Sequence, residues 1–253
     1  MRSYRTYVGL CMMGILASLG VGVQTARAQS RVPVLKHEPI FGVGPRTIWK
    51  GGIGFEVGIA QDRTARNEQL ALEYEILYGL TESWAVTLLA EQALNGMRTV
   101  FSLRSKFRFF KKDVRGGVYH TAVLGGIRMR DSGGGLDGLM MGLSGAYEGR
   151  RWLLFMTARQ RIRQARVRDS ILLYDVALGV RPVKTTYYQP DLTLMAELNG
   201  QLFFPGHRLL GALGFWLTYR NWAFKPGLQW MLFRTNNIDE GKYRWVGSVE
   251  VHF

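Results

Sequence analysis

From residue 48 onward, apolar and polar residues alternate in stretch after stretch of this chain. In NEQLALEYEILYGL, Leu70, Leu72, Tyr74, Ile76 and Tyr78 alternate with Ala71, Glu73, Glu75 and Leu77. In TVFSLRSKFRFF, Phe101, Leu103, Phe107 and Phe109 alternate with Ser102, Arg104, Lys106 and Arg108. In PDLTLMAELNGQ, Leu192, Leu194, Ala196 and Leu198 alternate with Asp191, Thr193, Glu197 and Asn199. Wound as helices, these segments would carry charge on every side; extended, they carry it on one face. The pattern predicts about twelve strands, at 48–61, 68–80, 83–94, 98–110, 117–130, 137–149, 151–162, 169–181, 187–201, 207–220, 221–234 and 242–253. Turn signals such as GLTES, KKDVRGG, DSGGGLDG, EGRR, FPGH and NNIDEGK separate them. An open sheet of that width would expose two long edges, which closure removes. The expected fold class is all-β: an up-and-down antiparallel β-barrel of about twelve strands with short loops.

The face that points outward decides whether the barrel is transmembrane or soluble. With both chain ends on the periplasmic side, the strand ends on that side carry aromatics on their apolar face: Trp49, Tyr78, Trp84, Phe109, Tyr119, Tyr147, Trp152, Tyr188, Tyr219, Trp222 and Phe253. The strand near Leu178 lacks one. A soluble, lipocalin-like core has no reason to place rings at alternate ends of successive strands. Tyr and Trp prefer the headgroup level of a membrane, so this sorting predicts an interface girdle and a lipid-facing exterior.

Export fits this reading. Residues 1–28 read as a signal peptide: Arg2 and Arg5 lead, Val8 to Val23 is apolar, and Ala26-Arg27-Ala28 supplies the cleavage site. Residues 29–46, with Pro33, Pro39 and Pro45, read as an irregular periplasmic extension, and 47–253 as the barrel. The one cysteine, Cys11, lies in the signal, so the mature barrel lacks thiol chemistry and cysteine-built metal sites. Removing the signal's three arginines lowers the +14 charge to about +11. Export makes nucleic acid an improbable partner for that charge; lipid phosphates, lipopolysaccharide or an anionic solute fit better. In the loop reading of RQRIRQARVRDS, Arg159, Arg161, Arg163, Arg166 and Arg168 face the outside for one of these uses.

At roughly 12 Å backbone radius, twelve tilted strands leave at most a narrow lumen. Its expected charges are grouped. Glu56, Glu73, Glu75, Glu91 and Glu250 form an acidic wall, and Arg104, Lys106, Arg108, Arg128, Arg130 and Arg159 a basic one. Two readings fit: a transverse field that selects solutes, or an ion-pair network that stiffens or closes the barrel. Enzymatic signals are weak. His37, His120, His207 and His252 are dispersed, and His120 and Thr121 point to opposite faces. The sequence suggests no catalytic set, metal site or cofactor.

The ending KYRWVGSVEVHF alternates Tyr243, Trp245, Gly247, Val249, Val251 and Phe253 with polar residues. It resembles the terminal strand that barrel-assembly machinery reads in bacterial outer-membrane proteins. HEPIFGVGPRTIWKGG, LEYEILYGLTESW and FRFFKKDVRGGVYHTAVLGG resemble the transporter-type outer-membrane family of the meta-pathway of phenol degradation. That resemblance implies a barrel moving small, often hydrophobic or aromatic compounds. The leading expectation is an outer-membrane channel or diffusion transporter for small solutes. A closed structural or assembly barrel is the alternative, and a lipid-modifying enzyme a further one.

Overall fold

The structure is a computed structural model that describes residues 44, 47–63, 68–94, 98–130, 135–163, 170–183, 189–203, 206–235 and 243–253. These lie in one compact unit beginning at Pro33. The signal segment, most of the extension, and Tyr188, Arg166 and Arg168 fall outside the described residues.

Twelve strands run in chain order: β1 (Ile53–Arg63), β2 (Glu68–Thr81), β3 (Trp84–Ala93), β4 (Arg98–Val114), β5 (Gly117–Arg130), β6 (Leu136–Gly149), β7 (Trp152–Arg163), β8 (Ile171–Val180), β9 (Asp191–Phe203), β10 (Gly206–Tyr219), β11 (Trp222–Arg234) and β12 (Tyr243–His252). Each pairs antiparallel with its neighbours in sequence, and β1 pairs with β12 to close the barrel. The seam runs from Gly54↔His252 to Arg63↔Tyr243. Ile53 and Phe253 complete it by exchanging backbone hydrogen bonds of 3.0 and 2.8 Å.

Two ends can be distinguished. At the terminal end, where β1 starts and β12 stops, two-residue hairpins such as Glu82–Ser83, Arg115–Gly116 and Arg150–Arg151 connect most strands. The remaining connection there, 181–190, is longer, and at the opposite, loop end the connections range from 204–205 to 235–242.

The exterior is apolar. Leu103, Val123, Leu143, Met156, Leu178, Leu194, Leu213 and Leu228 stand exposed on successive strands, with Leu143 57% accessible. Their strand neighbours Ser102, Ala122, Ser144, Thr157, Thr193 and Ala212 point inward and are buried. Water does not tolerate a continuous apolar belt of this extent, but hydrocarbon does. The barrel is therefore of the transmembrane type. At the terminal end, Tyr78, Trp84, Phe109, Tyr119, Trp152, Tyr219, Trp222 and Phe253 form an exposed aromatic ring. Tyr147 joins it, its ring centroid 4.9 Å from that of Tyr119. At the loop end, Tyr243 and Trp245 are exposed on the same face, and the Trp245 indole donates to Gln61. Of the other predicted assembly residues on this face, Val249 is exposed and Val251 is buried.

Trp49 departs from the predicted ring. The first strand starts at Ile53 rather than 48, because Lys50 and Gly51 turn the chain, with Gly51 at φ 74°. Residues 47–49 therefore fold into the barrel mouth. Ile48 is buried against Leu77 and Ala85, and the Trp49 ring meets the His252 ring edge-on at 6.0 Å. Gly51 donates to the Gly79 carbonyl at 2.8 Å, and the Thr47 hydroxyl donates to that of Glu82 at 2.9 Å. Gly79 permits this approach, since a Cβ there would lie 1.9 Å from the Trp49 oxygen.

An arginine at Leu143 would sit at mid-height against lipid and should cost about 2–4 kcal/mol. Urea unfolding of the Leu143→Arg variant in bilayers measures this. Stability unchanged from the native protein would contradict an apolar surround.

Candidate functional site: the lumen

The lumen has two unlike halves. Towards the terminal end it is packed dry. Leu153, Phe155, Ala146, Ala177, Met195 and Trp216 form an apolar cluster between β6 and β10, with the Phe155 and Trp216 rings 6.0 Å apart. Ile48, Leu77 and Ala85 fill the other side. Lys225, Ser248, Glu250 and His252 are also buried here, with Glu56 half-buried at their edge. Lys225 bridges Glu56 at 3.0 Å and Glu250 at 2.6 Å. His252 lies 2.5 Å from Glu250, and the Ser248 hydroxyl donates to Glu56 at 2.6 Å. Together these groups make a floor.

Towards the loop end lies a cavity of about 310 Å³. Alternation on each strand aims the functional side chains into it. Glu56, Glu73, Glu75, Glu91, Arg104, Arg128 and Arg159, all expected in the lumen, line this cavity. Three expected residues do not. Lys106 is buried. Arg108 donates to the Glu82 carbonyl at 2.5 Å and so braces the terminal hairpin. Glu250 belongs to the floor. The Arg130 side chain lies outside the described residues.

The acidic wall is not left bare. Arg244 pairs with Glu73 at 2.7 Å, and Lys225 takes Glu56. On the other side, Arg159 pairs with Asp175 at 2.6 Å, and Arg161 pairs with Asp137 at 2.9 Å. Arg128 reaches Glu91 at 2.9 Å and Asp137 at 3.5 Å. Asn199 donates to Asp175 at 3.0 Å, and Gln229 donates to Asn199 at 2.8 Å, extending the network to β11. Charges removed from water need such partners. The loop reading of Arg159 and Arg161 is corrected here: β7 continues to Arg163, and both guanidinium groups turn into the lumen.

Lys225, Arg244, Asp137 and Asp175 were missed in the sequence. Lys225 and Arg244 occupy inward positions of the alternation and could have been counted. Asp137 is hidden in a glycine-rich stretch that reads as loop.

Three histidines lie among the described residues. His120 is buried 3.8 Å from Glu148, and His252 contacts Glu250. His207 lies on the outer face near the loop end, 2.7 Å from the Tyr174 hydroxyl. Among the described residues, no group of three or more His, Cys, Asp or Glu side chains could hold a metal ion.

No family model matches the sequence, and no curated protein matches it. Solved structures do match. The KdgM porin superposes with a TM-score of 0.59 at 8% identity, over 78% of this chain and 99% of the porin. The KdgM porin in complex with disordered oligogalacturonate gives 0.59 at 9% identity, over 80% and 99%. The COG4313 outer membrane channel from Pseudomonas putida F1 gives 0.54 at 10% identity, over 86% and 100%. This chain has the fold of outer-membrane barrel channels. At these identities the likeness is one of architecture, and it agrees with the twelve strands, the closed seam and the outward apolar face.

Removing one partner of a buried pair leaves the other uncompensated. Asp175→Ala, which leaves Arg159 without its carboxylate and the Asn199 amide N–H without its acceptor, should cost about 3–5 kcal/mol in urea unfolding. Arg104→Gln, which breaks no ion pair, should stay within about 0.5 kcal/mol. Similar losses for both would mean that the lumen pairs contribute nothing particular.

Proposed function

We propose that the chain is a bacterial outer-membrane channel for small solutes, exported by its first 28 residues and oriented with the terminal end in the periplasm. The supporting observation is a charged cavity inside a lipid-facing barrel, a combination that serves passage better than scaffolding. Two-residue hairpins at four of the five terminal-end connections support the orientation, because periplasmic turns are the shorter ones in such barrels. The aromatic ring would then sit at the inner headgroup level. Tyr243, Trp245, Val249, Val251 and Phe253 would be read by the assembly machinery, and loop-end basic residues such as the exposed Arg234 would meet lipopolysaccharide phosphates. Similarity to a porin solved with oligogalacturonate supports a polar route through the lumen. The sequence resemblance to the meta-pathway family supports small hydrophobic or aromatic compounds as cargo.

The packed floor is where such a channel would be gated. A second reading rests on the same floor: a closed barrel that inserts and transports nothing. Planar-bilayer recordings separate the two. The native protein should show brief conductance steps. Phe155→Ala combined with Trp216→Ala should lengthen the open periods several-fold by emptying the apolar cluster. Electrical silence of both proteins, with no liposome swelling in any solute, would establish the closed barrel instead.

A further inference from the structure

We propose that the loop-end cavity is a binding site for a small monovalent organic anion, a carboxylate on an apolar body, seated on Arg104. This deepens the channel reading and rests on it for the route by which the anion arrives.

Ion pairing supplies the first reason. Six cationic side chains line the cavity with four carboxylates, and Asp137, Asp175 and Glu250 pair with three of the cations from behind the lining. The paired cations are already engaged, Arg128 with Glu91 and Arg244 with Glu73 among them. Among the described lining residues, Arg104 is the cation that makes no ion pair; it acts on Glu73 only through space. Its guanidinium has no carboxylate at ion-pair distance, and a carboxylate arriving there can take bidentate hydrogen bonds from it.

Local geometry supplies the second. Arg104 on β4 lies opposite Gly126 on β5. A Cβ at Gly126 would meet the Leu103 oxygen at 2.8 Å and the Arg104 Cγ at 3.4 Å. The bare glycine thus leaves the arginine stem room beside it.

The surroundings set the ligand class. Glu73 and Glu91 are directly opposed across β2 and β3, and Glu75 lies two residues from Glu73 on the same face. A second negative charge on the ligand would meet this face, so a dianion is disfavoured. Leu89, Met140, Leu173 and Val246 also line the cavity and can cover an apolar body.

Calorimetric titration of the full chain in detergent micelles, with protein-free micelles as blank, tests the site with three probes. Benzoate carries one charge, phthalate two and benzyl alcohol none. Saturable binding of benzoate is expected, with phthalate and benzyl alcohol each at least about tenfold weaker. Arg104→Gln should weaken benzoate by about tenfold or more, while Arg104→Lys falls between the native protein and Arg104→Gln, keeping the charge but losing the two-point hydrogen bonding. Benzoate affinity unchanged in Arg104→Gln, or phthalate or benzyl alcohol binding as tightly as benzoate, would overturn the proposal. If Arg104→Gln fails to fold by circular dichroism, the three-probe comparison on the native protein decides alone. Conductance without benzoate binding removes the site and keeps the channel. Benzoate binding without conductance keeps the site and removes the channel.

Discussion

Hydrocarbon offers no hydrogen bonds, so every backbone N–H and C=O in the wall must find its partner on a neighbouring strand. For this chain the pairing of β1 with β12 is the contact on which that requirement turns. Eleven neighbouring pairs alone would leave two edges in lipid. The twelfth, from Gly54↔His252 to Arg63↔Tyr243, removes both. Once the wall is closed, side-chain alternation fixes everything else: apolar residues face lipid, and charge is confined within a few ångströms of other charge.

That confinement explains the divided interior. A narrow lumen cannot hydrate many ionised groups, so they must neutralise one another or be replaced by apolar side chains. The barrel does both, at different heights. Nearer the chain ends, Phe155, Trp216, Met195 and Ile48 exclude water, and the ions that remain, Lys225, Glu56 and Glu250, sit in short bridges. Nearer the loops, pairs such as Arg159–Asp175 and Arg161–Asp137 hold the wall and leave space between them.

The architecture was largely legible in the sequence because period-two alternation is a direct image of the pleat. The twelve expected spans match the observed strands to within a few residues, except at the start of the first, where Gly51 bends the chain and carries Trp49 into the mouth instead of onto the outer ring. Seven of the eleven expected lumen charges line the cavity, and the side chain of one other, Arg130, lies outside the described residues. The floor was not legible. Trp216 stands between Phe215 and Leu217, so composition does not separate its inward face from its outward one. Leu153 and Phe155 share β7 with Leu154 and Met156 for the same reason. Apolar fillings disappear into apolar runs, whereas inward charges announce themselves. Pairing was also beyond reach, since Arg244 meets Glu73 from the far end of the chain.

The last strand supplies more than the seam. Ser248, Glu250 and His252 project from it into the floor, where they hold Glu56 of β1, Lys225 of β11 and the ring of Trp49. Neither Lys225 nor Glu56 can acquire its full set of neighbours until those closing residues arrive. Wall and contents are therefore finished in one event, and a chain arrested one strand short would hold exposed ions with nothing to rest against. The wall and the floor thus depend on the same strand, Tyr243–His252.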